Sequence, residues 1–445
     1  MTQAEAAAET TAGGPAIVLD PTDPANVECP FPLYQQLRAS APVAYIETHD
    51  FYMVSTYESC MEVLRNPATF RQWDGDEMFE AGQGPPLGRP SNWSPEVRAA
   101  MEGAYRPVST LVNANPPRHT RYRKLATSLF SARRTAGAMD GRMHEIVHAL
   151  IDGFPDSGEV DFVEAIAVPF PIRVISEILG FPAEQYPTFK RWTDSAMVAI
   201  AGGVETERLV RAAHDLAEFQ RYLLDIVDKR RQEPTDDVVG HLANATVPDA
   251  GGPRLLTPEE TIGLGLHLLT GGAETTTNLL GSLLHRITTT PGLLDQVRAD
   301  PAVVPAVIEE TLRMDSPFQA LFRRTTEAVT LAGVDLPAGA KVLVSFGSAN
   351  RDERQFDRSE EFRLGRSGGS HIAFGFGTHF CLGAPLARSE ALIATQAIVD
   401  RLPGLRAKPG GQIVQHEHAF LRGLRTFDIQ YDAVLARRQL RGGAS

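Results

Sequence analysis

Cys381 closes the glycine-punctuated run Phe374-Gly375-Phe376-Gly377-Thr378-His379-Phe380-Cys381-Leu382-Gly383, and the residues behind it, Ala384 to Val399, are predicted to be helical. Gly375 and Gly377 permit backbone geometries that other residues resist, and Gly383 lets something flat and bulky lie close to the chain. A cysteine at a helix N-terminus meets unpaired N–H groups and the helix dipole, which favour a thiolate over a thiol. The run lacks the second cysteine of a zinc or iron–sulfur spacing. Two readings follow: an inert cysteine in a buried turn, or one soft ligand to a metal already held by something else, such as haem iron.

Three further constellations could carry or support chemistry. Gly271-Gly272-Ala273-Glu274-Thr275-Thr276 sits in a long apolar stretch predicted to be a single helix, opening at the capping box Thr257-Pro258-Glu259-Glu260 and ending near Thr289. Glycines weaken a helix interior, and Thr275 can bond back to the Gly271 carbonyl. The residues alone leave open helix packing for the glycines and a solvated charge for Glu274. In Glu309-Glu310-Thr311-Leu312-Arg313, Glu310 and Arg313 can meet on one helical face. Asn115-Pro116-Pro117-Arg118-His119-Thr120-Arg121-Tyr122-Arg123 places His119 and Arg123 one turn apart.

Together these segments resemble the cytochrome P450 family of haem-thiolate monooxygenases, whose signature Phe-x-x-Gly-x-x-x-Cys-x-Gly is complete from Phe374 to Gly383. His371, Ala373 and His379 fit the longer form found in bacterial members. The resemblance implies haem b on Cys381 as axial ligand, in a loop that includes Phe374, Gly375, His379 and Gly383. It implies Glu274 and Thr275 as the acid and alcohol of oxygen activation, and Glu310 with Arg313 as a structural pair locked by Arg366. His119, Arg123, Arg323 and His379 become donors to the haem propionates, with Arg324 as competitor to Arg323. Asn115 stands where the family usually has Asp, a change expected to affect local turn capping only.

The chain's 445 residues contain no linker of the Gly/Ser or Pro type, so one large, mainly α P450-type domain over 17–435 is expected. Small β-sheets and a haem between the long distal helix and the cysteine-loop helix complete that picture, with a disordered tail at 1–16 and a flexible one at 436–445. Short strands are predicted at Val43–Ile46, Phe51–Val54, Val342–Phe346 and Phe427–Tyr431, and an amphipathic helix over Glu205–Gln232. Gly75 to Pro107, with Met78, Phe79 and Trp93, reads as a long loop and candidate lid.

A net charge of −12 argues against nucleic-acid binding, and 43% hydrophobic with 22% charged residues is ordinary for a globular protein. Met1 to Asp20 holds no apolar run suited to a signal peptide or membrane anchor, so a cytoplasmic, monomeric protein is expected. Cys29, Cys60 and Cys381 show no paired spacing, and no Cys-x-x-Cys-His segment would attach haem covalently. His416-Glu417-His418 lacks a third metal ligand and reads as leading into a turn around Phe420–Leu424.

No flavin, iron–sulfur or dinucleotide-binding segment is evident, so electrons must come from outside. The resemblance implies a ferredoxin or flavodoxin with its reductase, so that NAD(P)H acts only indirectly. Arg118, Arg121, Lys124, Arg133 and Arg134 form the candidate docking cluster. His267 shares a helical face with Gly271 and Glu274, and that face is expected to look onto the haem. By the resemblance, Thr270, Phe318 to Leu321, the Trp73–Trp93 loop and the Phe420–Leu424 turn, with Leu421, would complete a pocket for a mid-sized hydrophobic molecule carrying one hydrogen-bonding group. The expected reaction is its hydroxylation or oxidative demethylation with O2. A peroxide-driven haem peroxygenase and a haem-binding sensor or carrier are the alternatives.

Overall fold

The computed structural model describes residues 20–74, 93–106, 108–130, 136–156, 158–200, 205–248, 251–366 and 369–436. The expected tail at 1–16, all but the first residue of that at 436–445, most of the candidate lid with Met78 and Phe79, and Arg133 and Arg134 lie outside them.

The longer helices are α1 (Phe31–Ser40), α2 (Arg118–Leu129), α3 (Ala136–Asp152), α4 (Pro169–Leu179), α5 (Tyr186–Ile200), α6 (Thr206–Gln232), α7 (Pro258–Thr289), α8 (Val304–Asp315) and α9 (Ala384–Arg401). One sheet has the order β1 (Val43–Ile46), β2 (Phe51–Val54), β6 (Lys341–Ser345), β5 (Ala320–Thr325), β3 (Phe70–Arg71). In a second sheet β9 (Leu424–Gln430) lies between β7 (Arg406–Ala407) and β8 (Ile413–Gln415), and β4 (Glu159–Asp161) also pairs with β9. The β1–β2 hairpin and the end of α7 fall where the sequence predicts them. No described helix is long and apolar enough to cross a membrane.

Helix α7 is apolar on most of its circumference, and a helix of that kind must run through the interior. It packs on α4, α5, α6, α8 and α9, inside the largest apolar cluster. Its first turn is fixed by the predicted capping box: Thr257 Oγ1 accepts the Glu260 N–H, and the Glu260 carboxylate accepts the Thr257 N–H at 2.8 Å.

Glu260 also takes Arg254 through both guanidinium ends and the Tyr122 hydroxyl at 2.7 Å, tying α2 to α7. Burial pushes this carboxyl up, but Arg254, the Thr257 N–H and Tyr122 together bring it down to about 2. Its contribution is therefore complete above its ordinary range and is lost as pH falls towards 2. Glu260→Gln is expected to cost on the order of 2 kcal/mol at neutral pH, with the difference from the parent closing below about pH 4. Urea unfolding across that range measures it.

The stretch from Gly75 to Pro107 is not loop throughout. Pro95–Ala100 is helical, with the Ser94 hydroxyl accepting the Val97 N–H and proline in the first turn. Val97 and Ala100 bury against Ala212, Ala213 and Leu216 of α6, and Trp93 packs beside them. The Ser-Pro-Glu start is a helix signal too short to dominate its Gly/Pro-rich surroundings.

Candidate active site

Gly375 and Gly377 both have left-handed backbone, with φ of 70° and 67°. That conformation is costly for other residues, and it lets the chain double back so that the Cys381 N–H bonds to Phe374 O at 2.9 Å. Cys381 lies three residues before the first residue of α9, and its side chain is accessible although it sits deep in the protein. Burial pushes the Cys381 thiol up, while the Gly383 and Ala384 N–H groups, Arg123 and Arg388 pull it down. In the protein by itself burial outweighs that pull. Gly383 has ordinary backbone, and a Cβ there would stand 4.0 Å from Cys381 Sγ. Its value lies in the flat surface it leaves beside the sulfur.

Behind this loop Glu310 and Arg313 meet as predicted, in a two-pronged pair at 2.8 Å, and Arg366 Nε reaches Glu310 at 2.8 Å. Arg313 also donates to the carbonyls of Asn350 and Ser359 at 2.8 and 2.9 Å. The Asn350 side chain then accepts the Ile372 N–H at 2.7 Å, and the Ile372 carbonyl accepts the Gly375 N–H at 2.9 Å. A continuous chain of bonds thus runs from Arg313 to the cysteine loop. A second clamp was not predicted: Arg388 of α9 grips Glu309 at 2.6 and 2.9 Å and lies over the Phe374 ring at 4.6 Å, while His371 adds a contact to Glu309 at 3.1 Å. Arg388 falls two turns along α9 from the cysteine, and only the fold reveals that this position faces α8.

In the middle of α7 the Thr275 hydroxyl donates to Gly271 O at 2.9 Å, as expected. The paired glycines differ. A Cβ at Gly272 would strike Ile175 of α4 at 2.9 Å, so this glycine serves helix packing, whereas a Cβ at Gly271 would meet nothing within 4 Å. Glu274 is pushed up by burial and then by Asp194, with Lys190 opposing. The His416 ring faces it, with Nε2 3.9 Å from Oε1. His416 thus joins the distal helix, a role that neither a metal pair nor a pocket-edge turn anticipates.

The four candidate propionate donors converge. His119 is 1% exposed, its Nδ1 lacks a hydrogen-bond partner among the described residues, and its ring lies 4.1 Å from that of His379. Arg123 donates to Phe380 O at 2.8 Å. Arg323 is 5% exposed and burial lowers it to about 10, whereas Arg324 occupies the next, less buried position of β5. His379 is driven down to about 3, by burial first and then by His119 and Arg323. Two guanidinium groups and two neutral imidazoles around an orphaned buried nitrogen fit an anionic group such as paired carboxylates.

Asn115 does more than cap a turn. Its amide accepts the Gln72 N–H at 2.9 Å and donates to Gln72 O at 3.0 Å, and the Gln72 side chain then takes Arg323 at 2.9 Å. The long-range role arises because an amide, unlike the family's usual Asp, can both donate and accept.

The family model for cytochrome P450 matches residues 188–419. The monooxygenase PikC of Streptomyces venezuelae is 33% identical over 95% of this chain and 96% of its own length. The chain is a cytochrome P450. The 6-deoxyerythronolide B hydroxylase of Saccharopolyspora erythraea is 32% identical over 90% of this chain and 95% of its own. Among solved structures, the P450 CYP109E1 of Bacillus megaterium in complex with testosterone superposes with a TM-score of 0.76 at 31% identity, covering 91% of this chain and 99% of that one. Such enzymes are haem-dependent monooxygenases, and the sulfur, the open Gly271 surface and the convergent cations of this P450 fit that group.

The expected pocket walls are partly assembled. Phe318 and Leu421 pair as an isolated antiparallel bridge, Leu321 lies on β5, and His418 Nδ1 accepts the N–H groups of Phe420 and Leu421, shaping the predicted turn. Trp73 packs edge-on against Phe322 at 6.4 Å, and the Thr270 hydroxyl bonds back to Leu266 O at 2.8 Å. His267 of this P450 is satisfied by the Thr110 hydroxyl, 2.6 Å from Nδ1, and burial lowers it to about 4. Of the docking cluster, Lys124 is exposed while Arg118 and Arg121 are half-buried. Among the described residues no group of three or more His, Cys, Asp or Glu side chains is placed to hold a metal ion.

Proposed function

We propose that this P450, acting as a single cytoplasmic domain over 17–435 and as a monomer, oxidises a mid-sized hydrophobic small molecule with one hydrogen-bonding group by hydroxylation or oxidative demethylation. Cys381 would supply the thiolate ligand of haem b, and His119, Arg123, Arg323 and His379 would hold its propionates. When bound, that haem supplies the thiolate-enriched iron at which O2 is activated. Thr275 Oγ1 positions a proton beside the open Gly271 surface, and Glu274 replenishes it from its carboxyl group. Electrons come from a ferredoxin or flavodoxin and its NAD(P)H-dependent reductase, docking near Lys124. The observation that carries the reading is the Glu274–Thr275 pair at mid-helix, with its hydroxyl fixed on Gly271. A peroxide-driven enzyme, a sensor and a carrier have little use for such a pair.

NAD(P)H-dependent product formation with added ferredoxin and reductase, against a substrate library first screened for a spectral shift of the ferric haem, tests this. Thr275→Ala should retain haem and its spectrum yet divert most reducing equivalents to hydrogen peroxide or water. Unchanged coupling would remove Thr275 from the mechanism. The relatives that act on 6-deoxyerythronolide B and bind testosterone support a substrate of this size and polarity.

His267 is the candidate polar handle of that pocket. Its ring is neutral at physiological pH and oriented by Thr110. His267→Phe is expected to weaken binding of an identified substrate by about tenfold, or to shift the site of oxidation, while sparing haem uptake. Spectral titration and product analysis measure both.

A further inference from the structure

Glu274 has a built surrounding on the side of α7 that meets the second sheet. The β8–β9 hairpin lies close on the helix: a Cβ at Gly423 would strike the Asn278 side chain, and one at Gly281 would touch Leu424 at 3.6 Å. His416, directly after β8, bonds through its backbone N–H to Gly423 O at 3.0 Å, and its Nε2 lies 3.9 Å from Glu274 Oε1. Asn278, one turn beyond Glu274, is 0% exposed, and neither of its amide atoms has a hydrogen-bond partner among the described residues. Buried amides in that condition are ordinarily satisfied by ordered water. From the other side α5 contributes Lys190 and Asp194, paired at 2.5 Å.

We infer that His416 is a positioning residue for oxygen activation, which passes protons to Glu274 from solvent. In the step, the Nε2–H bond of the His416 imidazolium breaks as the Glu274 Oε1–H bond forms, and the neutral imidazole then takes a proton from hydronium or a buffer acid in solvent, which is left as water or the buffer base. The inference rests on the role proposed for Glu274. A shift of the imidazole by about 1 Å brings the 3.9 Å separation to hydrogen-bond distance. The His416 side chain is 29% exposed and that of Glu274 20%, so the histidine is the more open of the two.

The electrostatics agree. Glu274 is raised by burial and by Asp194 against Lys190, and His416 is lowered by burial, then by His418 and Arg425, against Asp194. The two groups are thus pushed towards each other, which lowers the cost of moving a proton between them.

The test uses intact holoenzyme, reduced under carbon monoxide, and follows the Glu274 carboxyl stretch by infrared titration, with Glu274→Gln assigning the band. It needs neither substrate nor redox partner, so it stands apart from failure of the proposed function. In His416→Phe the Glu274 midpoint should rise by about one pH unit, because the Nε2–H donor facing the carboxylate is gone. In His416→Gln, which keeps a donor without a charge, the rise should be smaller. Conversely, Glu274→Gln should lower the midpoint of His416, read by NMR of nitrogen-labelled histidine, and this needs no change at His416. With NADPH, ferredoxin and reductase, His416→Phe should also raise peroxide released per NADPH about threefold, with the carbon monoxide spectrum unchanged. A Glu274 band that titrates identically, or not at all, in parent and His416→Phe, or a His416 midpoint indifferent to Glu274→Gln, overturns the inference.

Discussion

Reduced Cys381→Ser protein under carbon monoxide is expected to lack the strongly red-shifted Soret band of thiolate-ligated haem. A single ligand carries that band, so the loss should be complete rather than graded. The other two cysteines provide the control. Cys60 is fully buried against the first sheet, its sulfur 3.4 Å from Val54 O, and burial pushes its thiol far up. Cys29 is exposed near the start of the chain, beside a five-residue helix over Pro24–Glu28. Cys29→Ser and Cys60→Ser should therefore keep the band. If either lost it while Cys381→Ser did not, the assignment of the ligand would be wrong.

Arg313→Ala should yield little haem-loaded protein. Arg313 is 2% exposed and Glu310 5%, so truncation removes the two-pronged partner of a buried carboxylate and leaves it only the single contact of Arg366 and the Arg363 N–H. Breaking one partner of such a pair costs about 3–5 kcal/mol, a large part of the stability of a folded domain. The loss would be felt at the haem because the same guanidinium holds Asn350, which holds Ile372, which holds Gly375. Arg313→Lys should rescue only in part, since an ammonium cannot match the two-pronged geometry. Haem content per chain, measured by pyridine hemochromogen absorbance, decides the point. Full loading in Arg313→Ala would show that the network does not hold the loop.

The sequence by itself determined a good deal. The spacing of Phe374, Gly377, Cys381 and Gly383, the three-residue step from Glu310 to Arg313, and the Thr257–Glu260 capping box are local patterns, written in neighbouring residues, and each appears as read. The family and the main helical frame were legible for the same reason. Tertiary structure decided what depends on residues remote in the chain. It set the Cys381 thiol by burial against the pull of the helix terminus, and it separated Gly272, pressed on Ile175, from Gly271, which is open. It gave Asn115 a partner in Gln72, His267 one in Thr110, Arg388 one in Glu309, and set His416 opposite Glu274. Each of these depends on which face of one element meets another, and periodicity cannot fix that because it says which residues share a face but not what lies across from it.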